Sequence, residues 1–295
     1  MNYDKIIQDV IEEYKHSPID ILSIGDTEGE YNYLNSHKYS YVRTIRDIDN
    51  LWENNKAGKK ILEIGSFLGT VSISLKNIGY SIYALDIPEF YQSSSLRSYY
   101  KNNGIPYIGL NLKNYQLPFE SGYFDAIIIC EVMEHFNFNP LPVLKEMNRV
   151  LKKDGYIYIG MPNQARIINR IKLLHGKSIN NSIDDFFEQL DRNSNMIVGL
   201  HWREYTLIET MKMIEKMGFK VTHKYYFVEK ENINIIDPLF KKLLLFIKIL
   251  MKTFIYVNPS FRPYQVVIGK KISVPIYDFW LTEANSDVVA NIAKL

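Results

Sequence analysis

Between residues 60 and 160 the chain alternates short runs that are apolar at almost every position with longer stretches of helical periodicity. Few folds accommodate that rhythm. The runs are 60–64 (KILEI), 81–85 (SIYAL), 106–110 (PYIGL), 124–130 (FDAIIIC) and 156–160 (YIYIG), with TVSISLKNI after the first and LPVLKEMNRVL before the last. A strand that is apolar on both sides of its pleat must be covered on both faces, and alternation with helices demands right-handed crossover connections. The expected class is α/β, with a doubly wound parallel sheet.

The rhythm stops after Met161-Pro162-Asn163, where a polar, helical insertion occupies 164–200. Placed after a fifth strand, it lies over the carboxyl ends of the strands, where such sheets bind ligands, and it reads as a substrate lid. The pattern resumes with the helix EYTLIETMKMIEKM, a stop at Gly218, a strand at 219–228 and a final strand at 264–270. At the other end, Ile6, Ile7, Val10, Ile11 and Tyr14 share one helical face that packs on something larger. The run 21–30 (ILSIGDTEGE) is expected to be a hairpin or turn. The resulting division is an N-terminal cap over 1–58, a main domain over 59–272 and a C-terminal extension over 273–295.

Composition narrows the function. With 35 Lys+Arg against 33 Asp+Glu, the formal charge is +2, so nucleic acid is not the expected partner. Cys130 is the single cysteine, which excludes an internal disulfide framework and fits a reducing compartment. Asp4, Asp9, Glu12 and Glu13 interrupt the apolar residues at the start, so a secretory signal is not expected and the cytoplasm is the default location. Residues 238–257 (PLFKKLLLFIKILMKTFIYV) are the most apolar stretch, yet Lys241, Lys248 and Lys252 fall within about 40° of one another on a helix. That stripe argues against a spanning helix. It fits a helix in a membrane interface at the inner face or against a partner subunit, and ordinary packing accounts for it equally well.

The first apolar run ends in Glu63 and enters Gly65-Ser66-Phe67-Leu68-Gly69-Thr70, which opens a helix. Glycines permit a sharp turn and a close approach of ligand to main chain, and a helix amino end offers unpaired N–H groups. The next strand ends at Asp86, where a carboxylate can accept both ribose hydroxyls of an adenosine. From about residue 60 to 270 the chain resembles the class I S-adenosylmethionine-dependent methyltransferases. Glu63, Gly65 and Gly69 meet their E/D-x-G-x-G-x-G motif, with Phe67 in place of the middle glycine. LPFESGYFDAIIICEVMEHF and LKKDGYIYIGMPN match their fourth-strand and fifth-strand elements. The resemblance implies a Rossmann-like methyltransferase sheet of seven strands, the last antiparallel. It also implies S-adenosylmethionine as cofactor, contacted by Glu63, Gly65, Ser66, Phe67, Gly69, Asp86, Ile87, Asn111, Leu112 and Glu131. Arg46, ahead of the first strand, is the candidate for the cofactor's carboxylate.

Glu131, Glu134 and His135 follow the fourth strand. At i, i+3 and i+4 of a helical turn they would share a face, and two carboxylates that close call for a proton or a cation. This E-x-x-E-H element resembles the ligand set of metal-assisted members, including the small-RNA terminal 2′-O-methyltransferases and the ubiquinone-pathway O-methyltransferases. The resemblance implies His201, in His201-Trp202-Arg203-Glu204-Tyr205-Thr206, as a fourth ligand beside Glu131, Glu134 and His135. Mixed O/N ligation suits Mg, Mn, Fe or Zn. His135 and Glu134 are the catalytic candidates, and His135 can instead act alone as a metal-free general base or simply pack.

The expected reaction is O-methylation of a small molecule bearing a hydroxyl or phosphate-type oxygen, such as a sugar or nucleotide-linked glycan precursor. Arg166, Arg170, Lys172, Lys177 and Arg192 in the lid can hold phosphate or can be a solvated face. Methylation of nitrogen or carbon is one alternative. A non-catalytic adaptor that docks through 238–257 is another. The oligomeric state is left open.

Overall fold

In the computed structural model of the chain, which describes residues 1–19, 21, 27–52, 55–190, 199–228 and 257–276, the apolar runs are the strands of one sheet. They are β1 (Lys60–Ile64), β2 (Ser81–Asp86), β3 (Tyr107–Gly109), β4 (Phe124–Cys130), β5 (Leu151–Pro162), β6 (Phe219–Phe227) and β7 (Tyr264–Lys271). Their order is β3-β2-β1-β4-β5-β7-β6. The first five pair in parallel, while β7 runs antiparallel to both β5 and β6. The expected Rossmann-like sheet is therefore present, with its last strand inserted between β5 and β6.

The helices are α1 (Tyr3–His16), α2 (Thr27–Ser36), α3 (Lys38–Asn50), α4 (Thr70–Ile78), α5 (Pro88–Tyr91), α6 (Ser94–Asn102), α7 (Leu141–Val150), α8 (Ile167–Leu174), α9 (Ile183–Leu190) and α10 (Leu207–Lys216). Successive strand side chains point to opposite faces, and the two faces have separate cores. Ile61, Ala126, Ile128 and Tyr158 pack with residues of α1, α3 and α4. Leu62, Ile64, Ile127, Ile129, Ile157 and Ile159 pack with residues of α7 and α10. The central strands are apolar throughout because each face supplies half of a different core. The chain leaves β1 toward β2 and β3 on one side and toward β4 and β5 on the other, which opens a crevice at the carboxyl ends of β1 and β4.

The hairpin or turn expected at 21–30 is corrected by α2, which begins at Thr27; residues 22–26 lie outside the described residues. Glu28 and Glu30 sit in its first turn, where carboxylates favour the helix amino end. Tyr14 of α1 donates a hydrogen bond to the buried Glu30, so a tertiary contact fixes what local pattern did not. No helix among the described residues is long and apolar enough to cross a membrane. Residues 238–256, and the C-terminal extension beyond 276, lie outside the described residues.

Asp125, the acid of the FD pair, ties three strand starts together. It accepts the Lys60 N–H at 2.9 Å, the Lys152 ammonium at 2.8 Å and the Lys59 ammonium at 3.3 Å. Burial alone would raise its carboxyl, but these donors outweigh it and hold the group below the usual carboxylate range. A depressed carboxylate stabilises the fold above its unfolded pKa and loses that contribution as pH falls through the folded value. Asp125→Ala is expected to cost about 2 kcal/mol at pH 7. In urea unfolding the gap from the natural protein should narrow below about pH 4; an equal gap at pH 7 and pH 3 would contradict this role.

Candidate active site

The turn leaving β1 is shaped by backbone conformations that side chains rarely adopt. Gly65 has φ +75°, and a Cβ there would collide with the Val132 side chain. Phe67, which stands where the motif has its middle glycine, nevertheless adopts a left-handed φ of 43°. Its N–H donates to Asp86 Oδ2 at 2.6 Å, and its ring packs edge-on against Tyr33 and Phe90. A charge-assisted hydrogen bond and two aromatic contacts thus offset the strain that a glycine would have avoided. Gly69, at φ +77°, caps the start of α4.

Both acids expected at the strand tips are buried. Glu63 accepts a hydrogen bond from Ser72 Oγ, and burial, with a smaller push from Asp86, raises its carboxyl to about 8. Asp86 accepts the Phe67 N–H on one oxygen and the Ile87 N–H on the other at 2.8 Å, and burial raises it to about 6. Asn111 Oδ1 accepts the Lys113 N–H at 3.0 Å, so part of its acceptor capacity caps the turn at Leu112–Asn114. Glu63, Gly65, Ser66, Phe67, Asp86, Ile87, Asn111, Leu112 and Glu131 all line one cavity of about 1070 Å³. Gly69 is not in its wall but closes the turn behind it. The buried Ser66 hydroxyl has no hydrogen-bond partner, as expected of a group that meets a ligand.

The other end of the cavity holds the acidic and imidazole residues. One ligand atom each from Glu134, His135 and His201 lie within 4.8 Å of one another. The two segments are stitched together by main chain. His135 Nδ1 bonds the Leu200 carbonyl at 2.9 Å, while the Glu134 carbonyl accepts the Trp202 N–H at 2.7 Å and the Arg203 N–H at 3.2 Å. A carbonyl can only accept, so His135 carries its proton on Nδ1 and its Nε2 is left with a lone pair. His201 Nδ1 donates in the same way to Glu204 Oε1 at 3.1 Å.

Glu134 is fully buried; its carboxyl meets that of Glu131, and among the described residues no amide, hydroxyl or cationic side chain of another residue donates to either oxygen. Burial first, and then the charge of Glu131, pushes its carboxyl well above the usual range. Burial and the neighbouring His201 lower His135 to about 4, so it is neutral at physiological pH. Glu204 behaves oppositely: burial would raise it, but the His201 hydrogen bond and the Arg166 guanidinium hold it below the ordinary value.

Two expected positions are corrected. Glu131 lines the cavity and its carboxyl meets that of Glu134, but it is not one of the three residues whose ligand atoms lie within 4.8 Å of one another; the chain turns at its left-handed φ of 53° and then forms a 3-10 turn at Met133–His135. Glu131, Glu134 and His135 therefore do not share one α-helical face. Arg46 is half exposed beside Asp47 and is not in the cavity wall. Arg43, one turn earlier on α3, is buried there, stacks at 3.2 Å over Phe227 and leaves its Nε without a hydrogen-bond partner. Of the lid cations, Arg166 lines the cavity, whereas Arg170, Lys172 and Lys177 do not, and Arg192 lies outside the described residues. Arg43 and Glu204 are not among the residues expected from the sequence, and spacing alone does not separate Arg43 from Arg46.

Comparison with known proteins agrees with this arrangement. Residues 62–159 match the family described as Methyltransferase domain. The ubiquinone biosynthesis O-methyltransferase of Proteus mirabilis is 21% identical over 213 residues, covering 71% of this chain and 83% of that protein. Its Xanthomonas oryzae namesake is 24% identical over 133 residues, covering 45% of this chain and only 52% of that relative. Among solved structures, a SAM-dependent methyltransferase from Archaeoglobus fulgidus shares the fold with a TM-score of 0.51 and 16% identity, over 82% of this chain and all of that one. Sheet, family match and relatives together define an α/β methyltransferase. The matched domain and the relatives indicate a methyltransferase that depends on S-adenosylmethionine.

An ionised Asp86 is the better acceptor for sugar hydroxyls, and its carboxyl loses its charge below about 6. Affinity for S-adenosylhomocysteine, measured by calorimetry, is expected to be greatest above pH 6 and to weaken as pH falls through that value. Asp86→Asn should lower it at least about tenfold at pH 7.5 and flatten the pH dependence, and Gly65→Arg should abolish it. Unchanged affinity in both variants would remove the assignment of this cavity to the cofactor.

Proposed function

We propose that this enzyme methylates a hydroxyl or phosphate-type oxygen of a small molecule, assisted by a divalent cation, Mg, Mn, Fe or Zn, held by Glu134, His135 and His201. The observation that carries the proposal is the Glu134 carboxylate, fully buried against the carboxyl of Glu131, with no cationic donor on it among the described residues and grouped with two imidazoles. A buried carboxylate in that state must be protonated or bind a cation. Two imidazoles presenting lone pairs favour the cation. The residues present therefore fit a divalent ion, which when bound would lower the pKa of an acceptor hydroxyl.

The chain's own groups divide the remaining work. Asp86 and Glu63 hold the adenosine end, and Arg43, in place of Arg46, is the candidate for the cofactor's carboxylate. Tyr41, Phe136, Phe138, Ile168 and Tyr264 give the acceptor end apolar and aromatic walls. Such walls suit a ring carrying two neighbouring oxygens, as a sugar or a catechol does. The relatives named ubiquinone biosynthesis O-methyltransferase support a hydroxyl oxygen as acceptor.

A second reading has its own observation. His135 is neutral above about pH 4 and its Nε2 carries a lone pair, so it could take the acceptor's proton without a metal. Titration of the chelator-stripped protein with Mn2+ separates the two. The cation reading expects about one ion per chain, with Glu134→Gln and His201→Ala each weakening it at least about tenfold. Absence of Mn2+ binding in the natural protein would leave the metal-free base.

A further inference from the structure

Glu204 stands between the lid and the cluster, and no step of the reaction uses it directly. It is 8% exposed. One carboxylate oxygen accepts both His201 Nδ1 at 3.1 Å and Arg166 Nη2 at 3.0 Å, and the other accepts Asn169 Nδ2 at 3.2 Å. Arg166 is the residue on which α8 starts, and Asn169 lies in that helix's first turn, buried, with a second bond from its Nδ2 to the Gln164 carbonyl at 2.9 Å. A single carboxylate therefore joins the imidazole of His201 to the first turn of the lid helix.

We propose that Glu204 is a positioning residue that orients His201 for cation binding and couples that ligand to the lid helix α8 through Arg166 and Asn169. The proposal rests on the cation reading given above.

The geometry assigns separate tasks to backbone and side chain. The carbonyl of Glu134 receives the N–H groups of residues 202 and 203, so the loop stays docked whatever residue 204 is. The imidazole, by contrast, is held by the Glu204 bond. A carboxylate that accepts Nδ1–H fixes the rotamer and tautomer and makes the opposite nitrogen a better ligand, which is worth roughly 10 to 100-fold in metal affinity. Coupling is reciprocal: if α8 helps hold the ligand, an ion on the ligand must in turn hold α8. Ile168 and Arg166 both line the cavity, so the helix restrained in this way also forms a wall of the acceptor end.

The test uses the full chain stripped by chelation and titrated with Co2+, followed by the visible absorption of the bound ion and by hydrogen exchange of α8. Glu204→Gln and Arg166→Met are expected to weaken Co2+ binding by roughly 10 to 100-fold, Glu204→Gln with an altered absorption envelope, and Glu204→Asp to recover part of the loss. Lys172→Met, on the same helix but outside the cavity wall, should match the natural protein. Co2+ should slow exchange in α8 of the natural protein and should fail to do so in Glu204→Gln at saturating ion. Equal affinity, spectrum and α8 protection in the natural protein, Glu204→Gln and Arg166→Met would overturn the coupling while leaving the cation reading intact. Failure of the natural protein to bind Co2+ would overturn both.

Discussion

The carboxylate of Asp86 holds the turn by which the chain leaves β1. By accepting the N–H of Phe67 on one oxygen and that of Ile87 on the other, it ties two adjacent strand tips into one rigid rim. A phenylalanine can then occupy a left-handed conformation where a glycine would ordinarily be required. The rim is costly to hold empty. Burial disfavours the ionised forms of both Asp86 and Glu63, and each step of one pKa unit corresponds to about 1.4 kcal/mol. Hydrogen bonds from a cofactor's hydroxyls are the natural compensation for two carboxylates in such a place.

The acceptor end follows a related logic with different parts. Main-chain bonds join the turn after β4 to the loop before α10, two segments more than sixty residues apart, and so bring Glu134, His135 and His201 together. Because these bonds run between main chain and main chain, or between an imidazole and a carbonyl, the chain itself fixes the cluster. Its cost again falls on a buried carboxyl, Glu134, which burial and the neighbouring Glu131 hold well above the usual carboxylate range.

Much of this was legible from the residues alone because the relevant signals are local. Apolar runs mark the central strands, since each strand faces two cores, and acids at strand tips mark the crevice. The sequence is less informative where tertiary contact or an unusual backbone conformation decides. Arg43 and Arg46 lie three residues apart on α3, close enough in helical phase that spacing alone does not separate them, and only packing against Phe227 shows which is inward. Glu131 was grouped with Glu134 and His135 on the assumption of an α-helical turn, an assumption that its left-handed φ removes. The helix at Thr27–Ser36 was missed because its acidic start resembles a turn until Tyr14 is known to bond Glu30. Glu204 stands within the His201 run, yet two of its partners, Arg166 and Asn169, lie at the start of α8, and nothing in the sequence pairs them with it.

The most direct measurement of the central claim is a crystal structure of the protein grown with S-adenosylhomocysteine. The account predicts the two ribose hydroxyls within hydrogen-bond distance of the Asp86 carboxylate, with the sulfur lying between the turn after β1 and the tip of β4. Density for the ligand elsewhere, or an Asp86 carboxylate turned away from the sugar, would contradict it.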